Sequence, residues 1–147
     1  MNPDLFNNNF SDFNLNQKIL KALKELNFYN PTPIQKKVIP QFKSSKQDII
    51  ASAQTGTGKT AAFGLPLIDL VSNKSGYTQA LILCPTRELC IQIAKDLNTF
   101  SKYQKSINIL PVYGGEPIER QIRALKKNIQ IIVGTPGRTK DLIRRKK

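Results

Sequence analysis

The chain has 147 residues, 39% of them hydrophobic and 7% aromatic, enough for one core that buries roughly 70% of the surface the unfolded chain exposes, and no apolar stretch approaches the ~20 residues that span a bilayer. Lys and Arg number 23 against 10 acidic residues, a formal charge of +13 with no His, so polyanions and above all nucleic acids are the expected partners. Without His, and not spaced as a CxxC pair, Cys84 and Cys90 have no zinc constellation to join and read as reduced core thiols.

The first ten residues are Asn-rich and lack a basic start followed by an apolar run, so no secretory signal is read there and a cytoplasmic location is expected. Residues 1–9 are expected to form a flexible tail, and 10–147 a single domain. Asn16 stands as N-cap before Ile19, Leu20, Leu23 and Leu26, whose spacing predicts a short helix. In Pro31-Thr32-Pro33-Ile34-Gln35, Thr32 is placed to cap and Pro33 to open a second helix.

From residue 48 onward one unit recurs. Runs 48–52, 80–84, 107–112 and 129–133 read as short buried strands, each followed by a helical pattern. Thr86 caps a helix with Leu89, Ile93, Leu97 and Phe100 on one face, and Pro117 opens another with Ile118, Ile122 and Leu125. Such alternation predicts an α/β fold, a parallel sheet flanked by helices. The linkers 72–78 and 101–106 are short and polar, with no internal boundary. Loops 53–60, 85–88, 113–115 and 135–138 follow directly after strands, where open α/β sheets bind ligands, so all four are expected on one rim.

Ala53-Gln54-Thr55-Gly56-Thr57-Gly58-Lys59-Thr60 is a strand-to-helix turn of the P-loop kind, with Ala53 where the general pattern has its first Gly. Glycines at 56 and 58 let backbone N–H groups turn around phosphate oxygens, and the following helix adds its positive N-terminal end. Lys59 is then a point charge for the β and γ phosphates, and the Thr60 hydroxyl a ligand for Mg²⁺. The plainer alternative is a Gly-rich turn before an ordinary helix, which the strand-before, helix-after context argues against.

With these segments in place the sequence resembles the DEAD-box family of superfamily 2 RNA helicases from Phe10 to Arg145. The family's phosphate loop, AxTGxGKT, is matched by residues 53–60 at every fixed position. Phe28-Tyr29-Asn30-Pro31-Thr32-Pro33-Ile34-Gln35 resembles its Q motif, with Phe10 in the place of the isolated upstream aromatic. Pro85-Thr86-Arg87-Glu88-Leu89 resembles motif Ia, Gly114-Gly115 the GG motif, and Thr135-Pro136-Gly137-Arg138 motif Ib. Asn27 stands where the Q motif usually has Gly, and 45–48 lacks the Gly usual before the first strand.

The resemblance implies a RecA-like P-loop fold and an ATP site formed by Phe28, Asn30, Gln35 and residues 53–60, with Mg²⁺ on Thr60. A carboxamide such as Gln35 can donate to and accept from adenine's Hoogsteen edge at once, and Phe28 can stack on the base; simple core packing is the alternative for Phe28 and more so for Phe10. The resemblance also implies that Pro85, Thr86, Arg87, Gly114, Gly115, Thr135, Pro136, Gly137 and Arg138 contact an RNA backbone, with little sequence preference. Thr86 and Thr135 could cap helices aimed at phosphates; Arg87 could instead pair with Glu88 or Glu116.

The family's Asp-Glu-Ala-Asp and Ser-Ala-Thr motifs and its second RecA-like domain are expected beyond Arg138 and are not found in the 147 residues. The fold is therefore expected to be incomplete on its C-terminal side, with ATPase activity of these residues alone near background. Unpaired strand edges are expected to make the isolated chain marginal or self-associating. Three functions remain: part of an ATP-dependent RNA helicase, a non-hydrolysing nucleotide and RNA-binding fragment, or an inactive remnant of a split helicase gene.

Overall fold

A computed structural model describes residues 9–72 and 76–147. Residues 1–8 of the expected tail and residues 73–75 of the first linker lie outside the described residues. The chain divides into two compact units, Met1–Leu70 with Thr99–Gln104, and Val71–Asn98 with Lys105–Lys147.

The first unit is helical. A 3-10 turn, Phe10–Phe13, precedes α1 (Gln17–Glu25), α2 (Pro33–Ser44) and α3 (Lys59–Leu70). The Asn16 side chain accepts from the Lys18 N–H at 2.9 Å, and α1 buries Ile19, Ala22 and Leu23. Its exit uses Asn27 in the left-handed region at φ 57°, a conformation that short polar side chains tolerate. Pro33 sits in the first turn of α2, where its missing N–H costs no hydrogen bond. α2 packs along α3, with Val38 and Ile39 buried on one and Ala61, Ala62, Leu65 and Ile68 on the other. The last turns of these two helices are joined by an ion pair, Lys43 to Asp69 at 2.8 Å. Asp69 also accepts from the Asn16 N–H at 2.8 Å, and Lys43 donates to the Asn14 carbonyl at 2.6 Å.

Residues 48–52 are not a strand. The β-branched run has the right composition, yet a strand exists only through a neighbour's ladder, and no described residue pairs with it. Ile50 is consequently 100% exposed. The expectation of four strands with four loops on one rim is corrected to three strands among the described residues, each followed by a loop.

The second unit holds those strands in the order β1 (Ala80–Leu83), α4 (Arg87–Phe100, whose last two residues belong to the first unit), β2 (Ile109–Val112), α5 (Ile118–Leu125), β3 (Ile131–Gly134) and α6 (Pro136–Arg144). The sheet is parallel with spatial order β1-β3-β2. Ala80 and Ile109 lie opposite Ile131, and Leu83 and Val112 opposite Gly134. The central strand is the most buried, with Ile131 and Val133 inaccessible, whereas Leu81 and Leu83 of the outer strand β1 are exposed.

The buried face of α4 is Cys90, Ile93, Ala94 and Leu97, the spacing of one helical stripe. Leu89, expected on that face, is exposed. It lies one position, about 100°, off the stripe. On α5, Ile118, Ile122 and Leu125 are half-buried, and the deeply buried residue is Gln121. Among the described residues no helix is long and apolar enough to cross a membrane.

Candidate functional site

In the first unit the segments around Gln35 and Gly58 are bonded to each other. Gln35 is 3% exposed; its Oε1 accepts from the Thr32 N–H at 2.9 Å, and its Nε2 donates to the Gly58 carbonyl at 3.1 Å. Thr32 Oγ1 donates to the Thr57 carbonyl at 2.8 Å. The cap of α2 and the glycine turn before α3 are thus one hydrogen-bonded structure. A carboxamide carries two N–H donors and two acceptor lone pairs, so Gln35 keeps one of each.

The turn itself needs its glycines. Gly56 and Gly58 have φ of 80° and 83°, and a Cβ on Gly58 would lie 2.3 Å from Gln35 Nε2. Thr57 Oγ1 donates to the Gln54 carbonyl at 2.7 Å, and Lys59 Nζ donates to the carbonyls of Ala53 and Gln54, each at 2.6 Å. Thr55 and Gln54 are exposed, and Thr60 is half-buried at the second position of α3. Beside the turn lies a cavity of about 380 Å³, lined by Phe10, Phe28, Tyr29, Asn30, Thr32, Gln35, Gly56 and Gly58 among others. That volume falls within the range of small-molecule sites. Phe28 is partly exposed and its ring centroid lies 6.4 Å from that of Phe100. Phe10 is buried against Phe13, ring to edge at 6.0 Å, while still forming one wall.

In the second unit the loops after β1, β2 and β3 are tied together at one rim. The Arg87 guanidinium lies 4.8 Å from the centre of the Tyr113 ring, and a Cβ on Gly115, at φ 84°, would meet Arg87 Nη1 at 3.2 Å. Tyr113 donates its hydroxyl to Glu116 Oε1 at 2.9 Å. Arg138 donates to Gln121 Oε1 and to the Glu116 carbonyl, both at 3.0 Å, and Gln121 Nε2 donates to the Tyr113 carbonyl at 3.0 Å. Burial, reinforced by Glu116, holds the Tyr113 phenol above its ordinary pKa, which keeps it a neutral donor. Pro85, Thr86, Gly114, Gly115, Pro136 and Gly137 are exposed along this rim.

Arg87 makes no ion pair among the described residues. Thr86 caps α4, its Oγ1 accepting from the Leu89 N–H at 3.2 Å. Thr135 occupies the cap position of α6 without a side-chain cap bond, so the expected pair of caps is corrected to one. Gln121 escaped the sequence reading, and Tyr113 entered it only as the first residue of the rim loop 113–115, without a role. The one available signal was a polar residue on the apolar stripe of α5, which a buried hydrogen-bonded amide explains.

Cys84 and Cys90 are free and buried. Cys90 Sγ donates to the Val133 carbonyl at 3.0 Å, and burial, with Cys84 beside it, pushes its thiol up to about 11.

A parallel sheet with a loop after each strand, together with a glycine turn that opens a helix on Lys-Thr, defines a RecA-like P-loop fold. Its sequence matches the DEAD/DEAH box helicase profile over residues 32–147, and the chain belongs to that family. It is 55% identical over 137 residues to the ATP-dependent RNA helicase CshA of Listeria monocytogenes and 51% identical to CshA of Bacillus subtilis, covering 93% of this chain and 26% and 27% of those proteins. The chain thus spans about a quarter of the length of the curated relatives it matches. Among solved structures it is similar to a DEAD box protein from Methanococcus jannaschii, with TM-score 0.87 and 48% identity over 94% of this chain and 37% of that one. It is also similar to S. cerevisiae Dbp5 bound to RNA and ADP BeF3, with TM-score 0.84 and 33% identity over 95% of this chain and 34% of that one.

Proposed function

We propose that this chain is the ATP-binding and part of the RNA-binding portion of an ATP-dependent RNA helicase that unwinds or remodels RNA duplexes in the cytoplasm. The observation that carries the ATP site is the direct bond between Gln35 and the carbonyl of Gly58 beside a cavity of about 380 Å³. In this reading residues 53–60 cradle the triphosphate. Lys59 exchanges the carbonyls of Ala53 and Gln54 for β and γ phosphate oxygens. The spare N–H and lone pair of Gln35 meet adenine, Phe28 stacks on the base, and Asn30 closes the wall.

A metal fits the same place in a limited way. Among the described residues no group of three or more His, Cys, Asp or Glu could hold one, so Mg²⁺ would be held by Thr60 and by ligand oxygens, supplying charge neutralisation at the phosphates. At the rim, Pro85, Thr86, Arg87, Gly114, Gly115, Thr135, Pro136 and Gly137 face an RNA backbone. Arg138, with its guanidinium engaged by Gln121 and Glu116, orders the loops as well as adding charge.

These 147 residues alone bind without turning over, because the sequence contains no Asp-Glu-Ala-Asp and a second RecA-like domain is needed to complete the phosphoryl-transfer site. Equilibrium titration with a fluorescent ATP analogue and with single-stranded RNA tests the proposal. Saturable ATP binding should be lost, by at least about tenfold, in Lys59→Ala, and RNA affinity should fall steeply as salt rises. Unchanged ATP binding in K59A, or an RNA affinity indifferent to salt, would overturn it.

A further inference from the structure

The rim leaves most of the second unit's charge unused. That unit holds fourteen basic and five acidic side chains, the first unit nine and five, and apart from the run Arg144–Lys147 a basic cluster lies on α5 and just past its end. Gln121 faces inward there with Ile118, Ile122 and Leu125, and Arg120, Arg123, Lys126 and Lys127 are exposed on the other side. Arg120 and Arg123 lie on one face of α5, and Lys126 and Lys127 extend this basic line just past its C-terminal end. None of the four has a side-chain hydrogen bond or ion pair among the described residues. Like charges three and four residues apart repel and destabilise a helix slightly, so an unneutralised line is a poor choice for a face that only meets water.

Its position supplies the reason. α5 begins three residues after Gly115, so the line starts beside the rim loop and runs away from it. Arg120 to Lys126 spans about 9 Å, over which a nucleic-acid strand, at or somewhat above the duplex spacing of about 3.4 Å, presents about two phosphates. We propose that this line is a second contact for the RNA backbone, taking up single-stranded RNA as it leaves the Gly114-Gly115 loop. The inference rests on the RNA-binding function proposed above.

The test is fluorescence anisotropy of the chain with single-stranded RNAs of about six and about twenty nucleotides, lengths that bracket common single-strand site sizes. Four proteins are compared: wild type; Arg120→Glu with Arg123→Glu and Lys127→Glu; the same three changed to Gln; and a charge-matched control, Lys18→Glu with Lys37→Glu and Lys46→Glu, all exposed in the first unit. Reversal on α5 should weaken the longer RNA by at least about tenfold and lower its salt slope by about two. The Gln set should give a smaller loss, and the shorter RNA should respond no more to the α5 set than to the control. Equal losses from α5 and control variants, or an unaffected longer RNA, would overturn the proposal while leaving RNA binding intact. Wild type that binds neither RNA would overturn the underlying function and this contact with it.

Discussion

A methyl group at Gly58 would sit 2.3 Å from Gln35 Nε2 on a backbone at φ 83°, so this position answers to two constraints at once. Gly58→Ala should lose about 1–2 kcal/mol of stability from the left-handed backbone alone and, by displacing Gln35, should weaken ATP as well. Gly56→Ala carries the backbone cost but meets nothing within 4 Å, so it should leave the Gln35 contact in place; urea unfolding and ATP titration of the two variants distinguish them. Cys90 gives a prediction in pH. Its thiol is pushed from an ordinary 9.0 up to about 11 by burial, so the unfolded chain ionises first. The stabilising contribution is complete below pH 9 and is lost as pH rises through about 11. Urea unfolding at pH 7 and pH 10 should show a larger loss for the wild type than for Cys90→Ala. Gln121 illustrates why some site residues are silent in sequence: its amide bonds a carbonyl and an arginine that meet it only in three dimensions.

Between elements, the ion pair of Lys43 and Asp69 joins α2 to α3 and also receives the chain entering α1. The two side chains are only 22% and 13% exposed, so the pair is poorly screened compared with a surface one. Asp69→Asn should cost about 1–3 kcal/mol, since it leaves Lys43 with carbonyls alone; chemical denaturation of the variant checks this. Helix starts were legible because each is written locally: Asn16, Thr32 with Gln35, and Thr86 all cap as their residue types suggest. The strands were legible in kind but ran a residue or two off at their ends, and 48–52 failed altogether, because a ladder partner is not a local property. Leu89 failed for a narrower reason, as one position along a helix moves a side chain out of the buried stripe.

For the molecule as a whole, the sequence carried the family because its motifs fall in loops whose chemistry needs particular residue types: glycines where φ is positive, a lysine and a threonine at a helix start, and a glutamine in a helix cap. The parallel order β1-β3-β2 and the network joining the three rim loops were not legible, since they depend on which strand lies between which others. The central claim is that Gln35, locked to the phosphate turn, selects adenine. Parallel titrations of the wild type and Gln35→Ala with ATP and GTP analogues test it most directly. The wild type should prefer ATP by at least about tenfold, as expected for one bidentate base contact, and Q35A should bind the two alike. Equal affinity of the wild type for both nucleotides, or undiminished preference in Q35A, would contradict the account.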